Sequence, residues 1–173
     1  MAESAAAMAT ATTTEIRPGE STVDLPAATD QAVYFIGTIR TPWRTRKECP
    51  RKGDLDGPVC TIEIAPRWRG ALQDVGRQTH LQILYWMHEA RRDLVLQSPR
   101  WNGEATGTFS LRSPNRPNPI ASSLVVIEAV EADRILVRGL DCIDGTPLID
   151  VKPESCPEWL AAADKGGAKG DAE

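Results

Sequence analysis

A chain of 173 residues, 41% of them apolar and with a formal charge of −4, has the size and composition of one globular core, since domains most often run to about 100–150 residues. No apolar run approaches the roughly 18 residues of a membrane-spanning helix, and residues 1–30, with Arg17 as their one basic group among several acids, fit neither a signal nor a transit peptide. Net acidity argues against a uniformly basic nucleic-acid binder, yet residues 40–116 hold 14 Lys or Arg against 8 Asp or Glu, so the acidic excess lies toward the ends.

Residues 1–30 are expected to form a disordered leader and residues 158–173 a flexible tail, because neither stretch has much to bury. One domain, residues 31–157, lies between them. Residues 33–40 mix β-branched and aromatic side chains up to Thr41-Pro42 and read as the opening strand. Residues 43–58 form a long polar loop. Its cluster of Arg40, Arg44, Arg46, Lys47, Arg51 and Lys52 around Trp43 suits phosphate contact, and equally suits a solvated arginine-rich loop.

Residues 59–64 alternate with period two and predict a half-buried strand. Residues 70–78 predict one or two helical turns with Leu72 and Val75 on one side. The apolar run 81–87 predicts a central strand covered on both faces. Residues 93–97, 105–111, 122–131 and 134–141 predict further strands, the last two joined as a meander through Ala132-Asp133. Asp144-Gly145 predicts a type I′ hairpin joining residues 134–142 to 147–151, because both positions tolerate positive φ. Short strands with polar turns and few short helices give an all-β, barrel-like domain.

Four cysteines, Cys49, Cys60, Cys142 and Cys156, show no C-x-x-C pair and, without a secretory signal, are expected to stay reduced in a cytoplasmic protein. His80 and His88, eight apart, fall on one face if the strand is continuous. With no third ligand at a recognisable spacing, structural histidines are expected and no metal. Trp43, Trp68 and Trp101 stand near arginines and suit either stacking on bases or packing under loops.

Residues 112–120, R-S-P-N-R-P-N-P-I, carry the most information. Three prolines in six residues fix their own φ and push Ser113, Arg116 and Asn118 toward extended backbone, which excludes helix. The result is a stiff loop presenting guanidinium, amide and hydroxyl groups with little freedom left to lose on binding. A rigid connector that merely ends edge pairing is the competing reading.

Residues 110–120 resemble the signature loop of the TsaA/TrmO-like family. Residues 140–153 (L-D-C-I-D-G-T-P-L-I-D-V-K-P) resemble its closing hairpin, residues 33–42 its opening strand, and residues 80–88 its central histidine-flanked strand. The matches run in family order over residues 31–153. The resemblance implies a β-barrel-like homodimer that uses S-adenosylmethionine to methylate N6 of a threonylcarbamoyl-modified adenosine at position 37, in the tRNA anticodon loop. It implies catalytic roles for Arg116, Pro117 and Asn118, and cofactor contacts from Arg112, Ser113, Arg116, Ile120, Leu140, Asp144, Gly145, Thr146 and Lys152. Arg40, Arg44, Arg46 and Lys47 are then candidates for RNA contact, Asp141, Asp144 and Asp150 for the cofactor's ribose or ammonium, with Asp144 equally suited to serve only its turn, and neither DNA nor membrane is an expected partner. Many relatives carry a bulky apolar residue where Asn115 stands and glycine where Ala121 stands. The alternatives from other classes are a non-catalytic barrel that senses S-adenosylmethionine or a nucleoside, and a plain RNA-binding barrel.

Overall fold

The computed structural model describes residues 16–24, 32–99 and 104–154. Its strands, in chain order, are β1 (Ser21–Thr22), β2 (Gly37–Arg40), β3 (Cys60–Ile64), β4 (His80–Trp86), β5 (Leu94–Gln97), β6 (Thr106–Gly107), β7 (Ile120–Val130), β8 (Arg134–Arg138) and β9 (Thr146–Pro153). Helical structure among the described residues is limited to three 3-10 turns, Pro66–Leu72, Val75–Arg77 and Thr108–Ser110. The all-β class expected from the sequence is the class observed. The chain divides into two units, one spanning Ala28–His88 and Ile120–Glu173, the other Met1–Ala27 and Glu89–Pro119.

In the first unit six strands close into a barrel in the order β2-β3-β8-β7-β4-β9, with every pair antiparallel. Closure removes free sheet edges and creates a single interior, so side chains alternate between inside and outside along each strand. In β3 the inward residues are Cys60, Ile62 and Ile64, as the period of two indicates. In β4 only Leu81, Ile83 and Tyr85 are buried, whereas His80, Gln82, Leu84 and Trp86 are partly exposed. This corrects the expectation of a strand covered on both faces, since a closed barrel buries one face and Gln82 can lie on the other. Each fully buried Leu or Ile contributes about 1.5–3 kcal/mol, and Ile39, Ile62, Ile83 and Ile135 are all inaccessible.

The predicted meander is present as β7 paired with β8, with an irregularity between Ile127 and Ala129. The predicted hairpin at Asp144-Gly145 is not. β8 pairs with β3 and β7, while β9 pairs with β2 and β4. Gly145 has φ +80°, but Asp144 is outside the left-handed region, and a type I′ turn needs both. The separation begins at Gly139, where φ is +110° and an added Cβ would lie 2.6 Å from the Leu124 carbonyl oxygen. Leu140 and Cys142 are then buried, and the turn delivers β9 to the far side of the barrel, where it completes closure. The helical turns expected over residues 70–78 are 3-10 in character, and Leu72 and Val75 both pack against the barrel core.

In the second unit β1, β5 and β6 form a three-stranded sheet in the order β1-β5-β6. β1 lies within the stretch expected to be a loose leader and pairs Thr22 with Leu94. The strand expected over residues 105–111 is shortened to Thr106–Gly107 before a 3-10 turn takes over. Its cause is polar and long-range: Thr108 Oγ1 donates to the Leu94 carbonyl at 2.8 Å and accepts from Gln97 Nε2 at 3.0 Å. Both side chains are buried. Residues 1–15 and 25–30 of the leader, Arg100 and Trp101, Cys156 and the tail lie outside the described residues.

Candidate functional site

The proline loop belongs to the second unit, and its polar groups separate into two sets. One set braces the loop. Arg116 Nε donates to the Ser113 carbonyl at 2.8 Å and its Nη2 donates to the Leu111 carbonyl. The Asn115 amide donates to Ser113 Oγ at 3.2 Å, Asn115 Oδ1 accepts from the Arg91 amide at 3.2 Å, and the Asn115 carbonyl accepts from Gln97 Nε2 at 2.7 Å. The Pro117 carbonyl accepts from Arg92 Nε at 2.6 Å. Asn115 is therefore a brace held by the neighbouring β5 and the Arg91 backbone.

The other set faces outward. Arg112 and Asn118 are exposed, and neither side chain bonds to any described residue. Prolines fix the backbone and the Arg116 fork fixes its curvature, so these two groups are presented on a stiff support with no internal partner to give up. Nearby, Arg91 and Asp93 form an ion pair at 2.7 Å that holds the aspartate below the ordinary carboxylate range.

In the barrel unit, the segment from Leu140 to Thr146 is fixed from both sides. Leu140, Cys142 and Thr146 are buried, and Thr146 Oγ1 donates to the Ile143 carbonyl at 2.7 Å. Asp144 caps the end of the opening strand: its Oδ1 accepts from the Thr41 amide at 3.1 Å, its own amide donates to the Trp43 carbonyl at 2.7 Å, and Gly145 N–H donates to the Ile39 carbonyl at 2.9 Å. Thr41 Oγ1 donates to the Cys142 carbonyl at 2.9 Å. The sequence allows Asp144 both a turn and a ligand role, and these bonds supply the partners of the turn. Burial pushes the thiols of Cys60 and Cys142 up to about 11 and about 12, so neither supplies a nucleophilic thiolate near neutrality.

Just before that turn, three side chains that no local pattern links meet inside the barrel. Tyr85 Oη donates to Asp141 Oδ1 at 2.6 Å, Ser123 Oγ lies 2.8 Å from Tyr85 Oη, and Ser123 Oγ donates to the same Asp141 oxygen at 3.1 Å. Tyr85 and Ser123 are buried. Burial, and then the charge of Asp141, push the phenol far above the ordinary tyrosine range, so Tyr85 remains a donor. The available signal was that both hydroxyls fall on inward positions of otherwise apolar strands.

The remaining candidates are dispersed. Ile120 opens β7, half-exposed and opposite Trp86. Lys152 is exposed on β9 and paired with Asp150 at 2.5 Å. Arg40 is engaged by Glu63 at 3.0 Å and Asp144 at 3.8 Å. Arg44, Arg46 and Lys47 are exposed, in a loop pinned where Glu48 accepts the Arg44 amide at 2.7 Å. That bond holds the Glu48 carboxyl below its ordinary value. Trp43 and Trp68 pack against the barrel core. His80 Nδ1 contacts Thr79 Oγ1 at 3.0 Å, and His88 lies beyond the end of β4, so the two do not share one continuous strand. A cavity of about 280 Å³ in this unit is lined by Ile36, Ile64, Trp68, Leu72, Val75 and Asp150 among others. Of the sequence-predicted cofactor candidates Asp150 alone is among its lining residues, and the other walls are apolar, without the hydroxyls found near Asp141.

A closed antiparallel barrel in which two buried hydroxyls meet one partly exposed carboxylate, in a chain that also carries a braced loop of outward guanidinium and amide groups, makes this a β-barrel protein with polar groups set into an otherwise apolar frame. The chain belongs to the tRNA-methyltransferase O N-terminal domain family, which it matches over residues 38–156. It is 52% identical over 141 residues to a probable S-adenosyl-L-methionine-binding protein, VirR, of Rhizobium radiobacter, covering 82% of this chain and 81% of that one. It is 44% identical over 78 residues to a mouse tRNA (adenine(37)-N6)-methyltransferase, covering 43% of this chain and 18% of the mouse protein. Among solved structures, TrmO from Pseudomonas aeruginosa superposes with a TM-score of 0.60 at 30% identity, over 84% of this chain and 61% of that one. The chain thus spans under two thirds of that solved protein's length.

Proposed function

We propose that this protein is an S-adenosylmethionine-dependent methyltransferase acting on N6 of a threonylcarbamoyl-modified adenosine at position 37 of the tRNA anticodon loop, and that it works as a homodimer in the cytoplasm. Membership of the TrmO family supports the reaction, and the names carried by the Rhizobium and mouse relatives support the cofactor and the base. The observation that carries the reading is the sorting of the proline loop into a braced set and an outward pair, Arg112 and Asn118. Exposed Val33, Tyr34 and Phe35 offer apolar surface suited to contact between copies.

S-adenosylmethionine supplies a methyl carbon made electrophilic by its sulfonium. When bound, it would exchange its C–S bond for an N–C bond to the base, keeping the electron pair on sulfur while the nitrogen's surplus proton left to water. Alignment provides most of the acceleration in such a displacement, so no strong base is required. An adenine amino group is a weak nucleophile because its lone pair is shared with the ring. The Asn118 side-chain oxygen accepts one of its N–H hydrogens and draws that pair toward nitrogen, while the Pro117 carbonyl, held by Arg92, keeps the asparagine's backbone in place. Arg112 provides a two-pronged donor for a carboxylate or phosphate, a geometry lysine cannot reproduce. Arg44, Arg46 and Lys47 attract the RNA backbone. A base in a single-stranded loop costs less to splay than one in a duplex.

The test is transfer of labelled methyl from S-adenosylmethionine to tRNA from cells lacking the activity, with wild-type protein and Asn118→Ala. Transfer by the wild type, and loss of rate with unchanged cofactor affinity in the variant, are expected. A variant as fast as wild type removes Asn118 from the chemistry. Cofactor binding without transfer by the wild type makes the protein a sensor.

A further inference from the structure

Asp141 is held in an unusual way for a partly exposed carboxylate. Both of its hydroxyl donors, Tyr85 and Ser123, bond to the same oxygen, Oδ1. No described residue donates to Oδ2, and that oxygen is not among buried atoms lacking a partner, so it reaches solvent. The backbone on either side is fixed by the burial of Leu140 and Cys142. Tyr85 itself is 2% exposed, and a phenol so placed in an aliphatic interior must have a partner. Its position leaves it no access to a ligand of its own.

We propose that Tyr85 is a positioning residue: with Ser123 it saturates one oxygen of Asp141 and orients the other to accept a single charge-assisted hydrogen bond from the α-ammonium of S-adenosylmethionine. This role rests on the cofactor reading given above. A ribose diol is the competing donor, but its two hydroxyls engage a carboxylate best through both oxygens, and one of these is already occupied. An ammonium needs one acceptor oxygen with its charge intact. Asp141 Oδ2 supplies this, because Tyr85 and Ser123 donate only to Oδ1.

The test compares two ligands that differ in the amino-acid portion, S-adenosylhomocysteine and 5′-methylthioadenosine, by calorimetry on the full chain. Tyr85→Phe preserves the ring and removes the donor. It is expected to weaken S-adenosylhomocysteine about tenfold, the effect of one charge-assisted hydrogen bond, while 5′-methylthioadenosine binds as in wild type. Asp141→Asn is expected to shift the same ratio in the same direction. If Tyr85→Phe does not fold, judged by its melting transition, Ser123→Ala is read by the same ratio. Equal weakening of both ligands, or no change in either, overturns the positioning role. Failure of the wild-type protein to bind either ligand overturns the cofactor reading itself.

Discussion

Replacing Arg116 with alanine removes the fork that joins the Leu111 and Ser113 carbonyls. A hydrogen bond from a charged donor contributes about 1.5–3 kcal/mol when shielded. Arg116 is only half-buried and water replaces it in part, so about 1 kcal/mol per bond, roughly 2 kcal/mol together, is the appropriate scale. The bonds from Arg92 to the Pro117 carbonyl and from Gln97 to the Asn115 carbonyl remain, and the loop therefore loosens without detaching from its own sheet. Amide exchange at Asn115, whose N–H is held by Ser113 Oγ, should accelerate about 30-fold, since each 1.4 kcal/mol is a factor of ten. Affinity for S-adenosylhomocysteine should fall by a similar or smaller factor, because binding must restore the missing order. Hydrogen exchange followed by mass spectrometry, beside calorimetry, reads both quantities. Unchanged exchange with a large drop in affinity would refute the bracing argument and make Arg116 a direct ligand contact.

Gly37→Ala should prevent correct pairing of β2 with β3, because its Cβ would lie 2.0 Å from the Glu63 carbonyl oxygen; a melting temperature within a few degrees of wild type would contradict this. For Cys60 and Cys142, burial raises the folded-state pKa to about 11 and about 12 from the ordinary 9.0. The associated stability is complete below pH 9 and is lost as pH rises through 11 and 12, so denaturant midpoints should fall across that window, and less steeply in Cys142→Ala once corrected for its neutral-pH stability. Neutralising Arg44, Arg46 and Lys47 together should reduce the slope of log affinity for single-stranded RNA against log salt by about 0.7 for each phosphate no longer neutralised. An unchanged slope would remove that loop from the RNA-binding surface.

Local patterns revealed the strands wherever one residue and its neighbours decide the outcome. The alternation in β3 and the turn between β7 and β8 were legible because burial and turn chemistry act within a few residues. Asp144-Gly145 has the same local chemistry whether the flanking strands pair or part. What separates them is closure of the barrel by β9 against β2, a pairing between segments far apart in the chain. The early end of β6 is likewise set by Thr108, Gln97 and Leu94 meeting in space. In the proline loop, composition showed stiffness and the kinds of polar group present. It could not show that Arg116 and Asn115 turn inward to brace the loop while Arg112 and Asn118 face out, because that division depends on which carbonyls come within reach. The union of Tyr85, Ser123 and Asp141 was hidden for the same reason.

The most direct test of the methyltransferase reading is nucleoside mass spectrometry of tRNA after incubation with the purified protein and methyl-labelled S-adenosylmethionine. The account predicts label on N6 of one threonylcarbamoyl-modified adenosine, located beside the anticodon. Label confined to another nucleoside, or tRNA left unlabelled by protein that binds the cofactor, would contradict it.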